Sequence, residues 1–327
     1  MLLLTAERLT LLALDCELAS LQAESRTAFF NALSSTFPVG EKFFMTSVRH
    51  FRDETSEPLR SQIDDFIYQE AMHSREHVVF NRQAQDVGYD IAPLEDRARR
   101  TIAWVKRRSA IQQLAATCAL EHFTATLAHD ALANPAHLAG ATDEARRLWQ
   151  WHAIEEIEHK AVAFDTYLHA ARHMLPLRRW LKRSTVMCVT ATRFHYVIFR
   201  NTADLLRQDG CNDFATWRRL LGYLYGRPGP LRLLLKGVFV YMRPGFHPWE
   251  LDDRPLLATA LTTLNDIITR EAFARAVDCI DLRVICNEDR DFANPIEPSV
   301  HGGAKIARGI LSFAAGEDQR RSRVIAH

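Results

Sequence analysis

Apolar positions recur at helical spacing in a series of long segments, and this pattern predicts an all-α fold. Leu11 to Leu33 consists mostly of good helix formers. Phe37-Pro38-Val39-Gly40 then breaks the pattern, with Pro38 suited to the first turn of a new helix. On that helix Phe44, Met45 and Val48 continue an apolar stripe that begins at Glu41, and a carboxylate so placed needs a partner or a metal. A second long helix is predicted from Glu57-Pro58 to Val87-Gly88, with proline near its start and glycine just past its end. Gly88 to Arg108 reads as a basic connection containing Trp104, long enough to cross a bundle. A third helix passes through Cys118, Glu121 and Ala128, where Thr117, Thr124 and Ala125 leave room beside the carboxylate. A fourth starts at the cap Thr142-Asp143-Glu144 and runs past Arg172.

Polar residues interrupt these stripes in a repeated order: Glu41, then Glu70-Ala71-Met72-His73, then Glu121, then Glu156-Ile157-Glu158-His159. Residues three apart lie on neighbouring turns of one helix face, so each Glu-x-x-His aims a carboxylate and an imidazole at one point. The lone Glu precedes its pair by 29 positions in the first half and by 35 in the second, which reads as two helix hairpins packed together. One Glu from each of two helices and one Glu-x-x-His from each of the other two make a di-metal bundle site. His77 shares a face with Phe66, Glu70 and His73. It is a third ligand, a group that orients one, or a hydrogen-bonded core histidine. His152 shares a face with Glu156 and His159. Glu155 competes with Glu156, which is preferred because it completes the spacing seen at Glu70 and His73; Glu158 points away.

Composition narrows the setting. With 327 residues and 47% hydrophobic content, the chain can bury a large core without disulfides. A net charge of +1, from 41 basic and 40 acidic residues, leaves no overall electrostatic footprint for nucleic acid. The six cysteines, Cys16, Cys118, Cys188, Cys211, Cys279 and Cys286, include no Cys-x-x-Cys pair, and a reduced, cytoplasmic protein is expected. The first residues lack the basic segment of a signal peptide. Charge is local instead: residues 172–243 hold 14 Lys or Arg against three acids. They form either solvated helices packed on the bundle or a basic amphipathic surface that meets an anionic lipid or guides an acidic, hydrophobic substrate. No apolar run there reaches the ~20 residues of a membrane span. Tyr241 to Trp249, with Pro244 and Pro248, reads as a structural clasp, and Arg254 to Val284 resumes a helical pattern.

These residues resemble the ferritin-like di-iron carboxylate superfamily. More specifically, Gly40-Glu41-Lys42-Phe43-Phe44, Glu70-Ala71-Met72-His73, Glu121-His122-Phe123-Thr124, His152 to Lys160 and Arg243-Pro244-Gly245-Phe246-His247-Pro248 resemble the bacterial family named predicted metal-dependent hydrolase, over most of residues 20–270. The His-x-x-x-Glu-x-x-His series is similar to that of arylamine N-oxygenases, in which an extra histidine joins four Glu and two His. That resemblance implies Glu41, Glu70, His73, Glu121, His152, Glu156 and His159 as ligands; His77 has no counterpart in the pattern, which leaves either it or His152 as the extra nitrogen ligand, and Glu155 stays a further or supporting group from its place on the helix face.

The expected architecture is a ferritin-like four-helix bundle over 1–175, a helical extension over 176–290 and an irregular tail over 291–327. The expected function is a non-haem di-iron oxygenase or oxidase that uses O2 on a small hydrophobic or amine-bearing substrate. Two Fe ions, or Mn, would be its cofactors, and reducing equivalents would come from an external electron donor because the chain has no flavin or dinucleotide fingerprint. The alternatives are a di-metal hydrolase of an ester or amide, in which the ions activate water, and a non-enzymatic metal-binding protein. A homodimer is compatible with each.

Overall fold

The computed structural model describes residues 17–227, 229–263 and 304–307, with side chains placed from residue 25 onward. The part of the first predicted helix before Glu17, residues 264–284 of the later helical pattern, and the tail apart from 304–307 lie outside the described residues. About 81% of the described residues are helical and none lies in a strand, so the fold is all-α. By contact the chain divides into two compact units, 1–252 and 253–327.

In the first unit, α1 (Glu17–Ser34), α2 (Phe37–Arg49), α3 (Leu59–Asp86), α4 (Ala92–Val105) and α5 (Ala110–Ala133) follow one another through short turns. They are followed by α6 (Asp143–Glu158), α7 (Val162–Ala170), α8 (Pro176–Gln208), α9 (Phe214–Tyr225) and α10 (Pro230–Tyr241). The starts are written in the sequence. Pro38 and Pro176 occupy first-turn positions, Thr142 Oγ1 accepts from Ala145 N at 3.3 Å, and Asp213 Oδ1 accepts from Thr216 N at 2.8 Å. Helix α2 pairs with α3, and α5 pairs with α6 and α7. The two pairs then face each other through α2–α5 and α3–α6 contacts, which brings four helices around one interior. Helix α8 lies against α1, α4 and α5, while α9 and α10 cover α1 and α5.

The basic connection expected between Gly88 and Arg108 is largely the helix α4. Leu94, Ala98 and Ile102 form its inward stripe at four-residue spacing, while Glu95–Arg99 and Asp96–Arg100 pair on the outside. Arg99 and Arg100 lie on the solvent face of this amphipathic helix, whereas Arg97 turns to α8. The fourth helix is not continuous past Arg172. His159 N still bonds Glu155 O at 3.1 Å, but Val162 N reaches back only to His159 O at 2.9 Å, and the chain restarts as α7. The tight turn directs the buried Lys160 to Leu251 O, at 2.8 Å, and over the Trp249 ring.

Residues 241–249 do clasp the bundle. The buried Arg183 stacks on Tyr241, Phe164 and Phe246 and donates to Arg243 O, while Trp180 Nε1 donates to Met242 O at 2.7 Å. No helix among the described residues is long and apolar enough to cross a membrane.

Three helices meet at Asn201. Its amide donates to Ser35 Oγ just after α1, at 3.0 Å, and its Oδ1 accepts from Arg97 of α4, which also donates to Asp204 of α8 at 2.6 Å. Because Asn201 is fully buried, Asn201→Ala strands polar partners without water, and urea denaturation should show a loss of about 1–3 kcal/mol.

Candidate metal centre

The four facing helices put every anticipated ligand in one interior. Glu41 comes from α2, Glu70 and His73 from α3, Glu121 from α5, His152 and Glu156 from α6, and His159 from the residue that ends α6. None of the seven exposes more than 3% of its surface. The end of α6 at His159 matters here, because its loosened backbone carries the imidazole next to Glu70, Glu121 and Glu156. Nε2 lies 3.0 Å from Glu70 Oε1 and 3.5 Å from an oxygen of each of the other two.

Donor atoms gather in overlapping sets, each lying within 4.8 Å: Glu70, Glu121, Glu156 and His159; His73, His152 and Glu156; Glu41, Glu70 and His73; and Glu41, His77 and His152. Both carboxylate oxygens of Glu41, Glu70 and Glu121 are buried without a hydrogen-bond partner, as are Glu156 Oε2, His73 Nδ1 and His159 Nε2. Protein interiors leave few polar atoms unsatisfied, and a converging group of orphaned carboxylate oxygens and imidazole nitrogens is the donor set of a cation.

Each of three imidazoles turns one nitrogen inward and has the other held from outside. His73 presents Nδ1, 3.7 Å from Glu156 Oε1, while its Nε2 meets Glu155 Oε2 at 2.9 Å; Trp151 Nε1 donates to the other oxygen of Glu155. His159 presents Nε2 and holds Gln69 Oε1 through Nδ1 at 3.1 Å. His152 presents Nε2, 2.8 Å from Glu156 Oε1, and its Nδ1 meets His77 Nε2 at 2.7 Å. The last contact continues outward. Asn81 Nδ2 donates to Ser34 O, so its Oδ1 takes the Ser34 hydroxyl proton, and Ser34 Oγ is left to accept from His77 Nδ1 at 2.9 Å. His77 Nε2 must then accept from His152 Nδ1–H, and the lone pair of His152 faces the interior. Outer partners of this kind fix the tautomer and ring orientation of metal-binding histidines.

Glu155 therefore sits outside the cluster, behind His73, whereas Glu156 is within it. Glu158, expected to point away, accepts from Gln69 Nε2 at 3.3 Å and so helps to hold His159. Sequence reading missed Ser34, Gln69, Asn81 and Trp151. Asn81 had a signal, since Phe66, Glu70, His73, His77 and Asn81 continue one buried stripe of α3 at three- and four-residue steps.

The electrostatics follow from burial. Loss of water, reinforced by neighbouring carboxylates, pushes Glu41, Glu70 and Glu121 well above the usual carboxylate range. Burial also lowers His73 and His77 well below the ordinary histidine value, with the neighbouring His152 adding to the effect. For Glu156, burial is outweighed by His152 and His159, which hold it well below the usual range. For His159, burial is outweighed by Glu156 and Glu121, which raise it. Glu155 is pushed up to about 7, mainly by burial and then by Glu158.

A small cavity of about 50 Å³ ends on this cluster. Phe30, Phe37, Leu127, Ala128 and Trp149 wall it, and His152 and Glu156 face it. A family described as "Predicted metal-dependent hydrolase" matches residues 21–252. The chain belongs to that family. The matched span contains all seven clustered side chains and the clasp. No curated protein and no solved structure matches the chain.

Carboxyl groups raised in the folded, metal-free protein stabilise it while protonated, and that contribution is lost as pH rises through their folded pKa values; the raised His159 acts in the same direction. The lowered His73 and His77 oppose this only below about pH 6.5, where the unfolded chain takes up their protons. Above about pH 6.5, where only the raised groups still titrate, the metal-free protein should therefore lose thermal stability as pH rises. Adding metal should flatten or reverse the slope and release protons into a weakly buffered solution. A metal-free melting temperature that climbs through this window contradicts the electrostatic account.

Proposed function

We propose that the cluster holds two divalent ions in a ferritin-like bundle and that the protein is a dinuclear metal-dependent hydrolase of an apolar ester or amide. The observation that carries this reading is the set of orphaned, buried carboxylate oxygens from four separate helices, within a family described by metal-dependent hydrolysis. Glu121 and His159, with Glu70 and Glu156, would hold one ion, and Glu41, His73 and His152, which share donor sets with Glu70 or Glu156, would hold the other. His77 has both ring nitrogens engaged and acts by orienting His152, not as a ligand. When bound, two ions lower the pKa of a water and polarise a substrate carbonyl.

The chain's own residues supply the rest. Phe30, Phe37 and Trp149 exclude bulk water from the His152 and Glu156 edge, which strengthens every charge interaction there. Glu155, held by Trp151 at one oxygen, accepts from His73 at the other and so fixes which ring nitrogen His73 turns inward.

A second reading, oxygen activation with two Fe ions, is favoured by the donor chemistry: four carboxylates and three imidazoles suit iron or manganese, and the approach is apolar. It needs an external electron donor. The two separate cleanly. Ester or amide turnover by anaerobic Zn- or Mn-loaded protein supports hydrolysis, whereas O2 uptake by the reduced iron-loaded protein, with no anaerobic turnover, supports the oxygenase.

Metal analysis tests the ligands directly. The wild type loaded with metal should hold two equivalents, and Glu121→Ala and His159→Ala should each hold clearly less; full loading of both variants ends the assignment. His77→Ala should keep both sites but weaken metal affinity about 10- to 100-fold, the usual cost of losing an orienting partner, whereas His152→Ala should lose one equivalent.

A further inference from the structure

A second and larger cavity, of about 390 Å³, lies among α2, α4, α5 and α8. Its walls are mostly apolar, with Phe44, Ile102, Leu120, Val186, Val189 and Phe194 among them. At its rim the half-buried Trp104 ring carries two guanidinium groups: Arg193 Cζ lies 3.6 Å and Arg108 Cζ 4.4 Å from the ring centroid. Neither arginine has a carboxylate partner among the described residues. Other arginines of α4 do: Arg97 pairs with Asp204, Arg99 with Glu95 and Arg100 with Asp96. Two like charges held on one indole, unneutralised, beside an apolar chamber form an anion site with an oily interior.

The inner end of the chamber points towards the metal centre. Phe37 and Thr124 wall both this cavity and the small one that ends on His152 and Glu156, and Gly40, beside Glu41, also lines it. We propose that this cavity binds an amphiphilic carboxylate, a straight acyl chain whose acidic head sits on Arg108 and Arg193 and whose tail runs inward to Phe37 and Thr124. The consequence for catalysis rests on the metal-enzyme reading: a hydrolysable substrate held this way carries its ester or amide at the tail end, since a simple acyl chain presents only C–H bonds there and would be a bound ligand, not a substrate. Binding itself does not rest on that reading.

Titration calorimetry on the full-length, metal-free protein with octanoate, decanoate and dodecanoate tests the proposal. Affinity should rise about fourfold for each buried methylene. Dodecyltrimethylammonium and dodecanol, which share the tail but not the charge, should bind at least tenfold more weakly than dodecanoate. Arg108→Gln/Arg193→Gln, changed at the rim, should lose that preference for the carboxylate. Val189→Phe, at a largely exposed wall position, should weaken dodecanoate more than octanoate. Unchanged thermal unfolding would show that both variants are folded.

Equal binding of the cationic and anionic dodecyl probes, or full dodecanoate affinity in the double variant, overturns the proposal. The metal content of the same variants is read separately. Wild-type loading with lost carboxylate binding supports this cavity assignment, and carboxylate binding by wild-type protein that takes up no metal sinks the metal reading alone.

Discussion

Four carboxylates from four helices are packed together with almost no water, and the rest of the structure answers that constraint. Glu41, Glu70, Glu121 and Glu156 expose at most 2% of their surfaces. Unit charges a few ångströms apart in such a medium repel by several kcal/mol per pair at an effective dielectric of about 20. Without cations the arrangement survives only by holding protons, which is why burial raises three of the four while His152 and His159 keep Glu156 ionised. Cations remove the conflict, since they take the place of the protons and bind the oxygens that no hydrogen bond satisfies. The bundle is therefore more than a scaffold. Its pairing of α2 with α3 and of α5 with α6 sets a repulsive cluster whose natural complement is positive charge.

The outer partners show how the geometry is kept ready. Glu155, His77 and Gln69 each hold the far nitrogen of one imidazole, and behind His77 stand Ser34 and Asn81. These links tie α1 to α3 and α3 to α6, so the hydrogen bonds that orient the ligands also join the helices that deliver them. Phe37 and Trp149 pack edge-on against His77, and Phe37 against His152, which restricts the rings further.

Much of this was legible before any coordinates. A Glu and a His three apart must share a helix face, so Glu70 with His73 and Glu156 with His159 were readable from spacing alone. The preference for Glu156 over Glu155 rested on the same rule, and the structure puts Glu156 among the donors and Glu155 behind His73. What spacing does not encode is contact between helices. Gln69 and Ser34 are unremarkable in the sequence, and their roles depend on which neighbouring helix they meet. Helix α4 was hidden because five charged residues crowd Glu95 to Arg100, although Leu94, Ala98 and Ile102 keep helical period. The break after His159 was hidden for a different reason: no proline or glycine marks it, and tertiary contacts of Lys160 with Trp249 and Leu251 accompany it.

The two chemistries considered for this centre make different demands on the protein beyond the metals. Hydrolysis needs a route for water and a group that returns a proton to the leaving atom. Glu155 stands behind His73 and beside Trp151, where it holds that ring, so on the hydrolytic reading the proton passes at the cluster itself. Oxygen chemistry needs a dry approach for an apolar substrate, and Phe30, Phe37, Leu127 and Trp149 provide one on the side facing His152. The centre thus has a polar face and an oily face. On the proposed reading, a substrate with its reactive carbonyl at the junction of the two uses both, with its apolar part lying along Phe37. That arrangement suits an ester or amide of an apolar acid, because the aromatic and aliphatic wall of Phe30, Phe37, Leu127 and Trp149 takes the apolar part, and it places the burden of water activation on the carboxylate cluster itself.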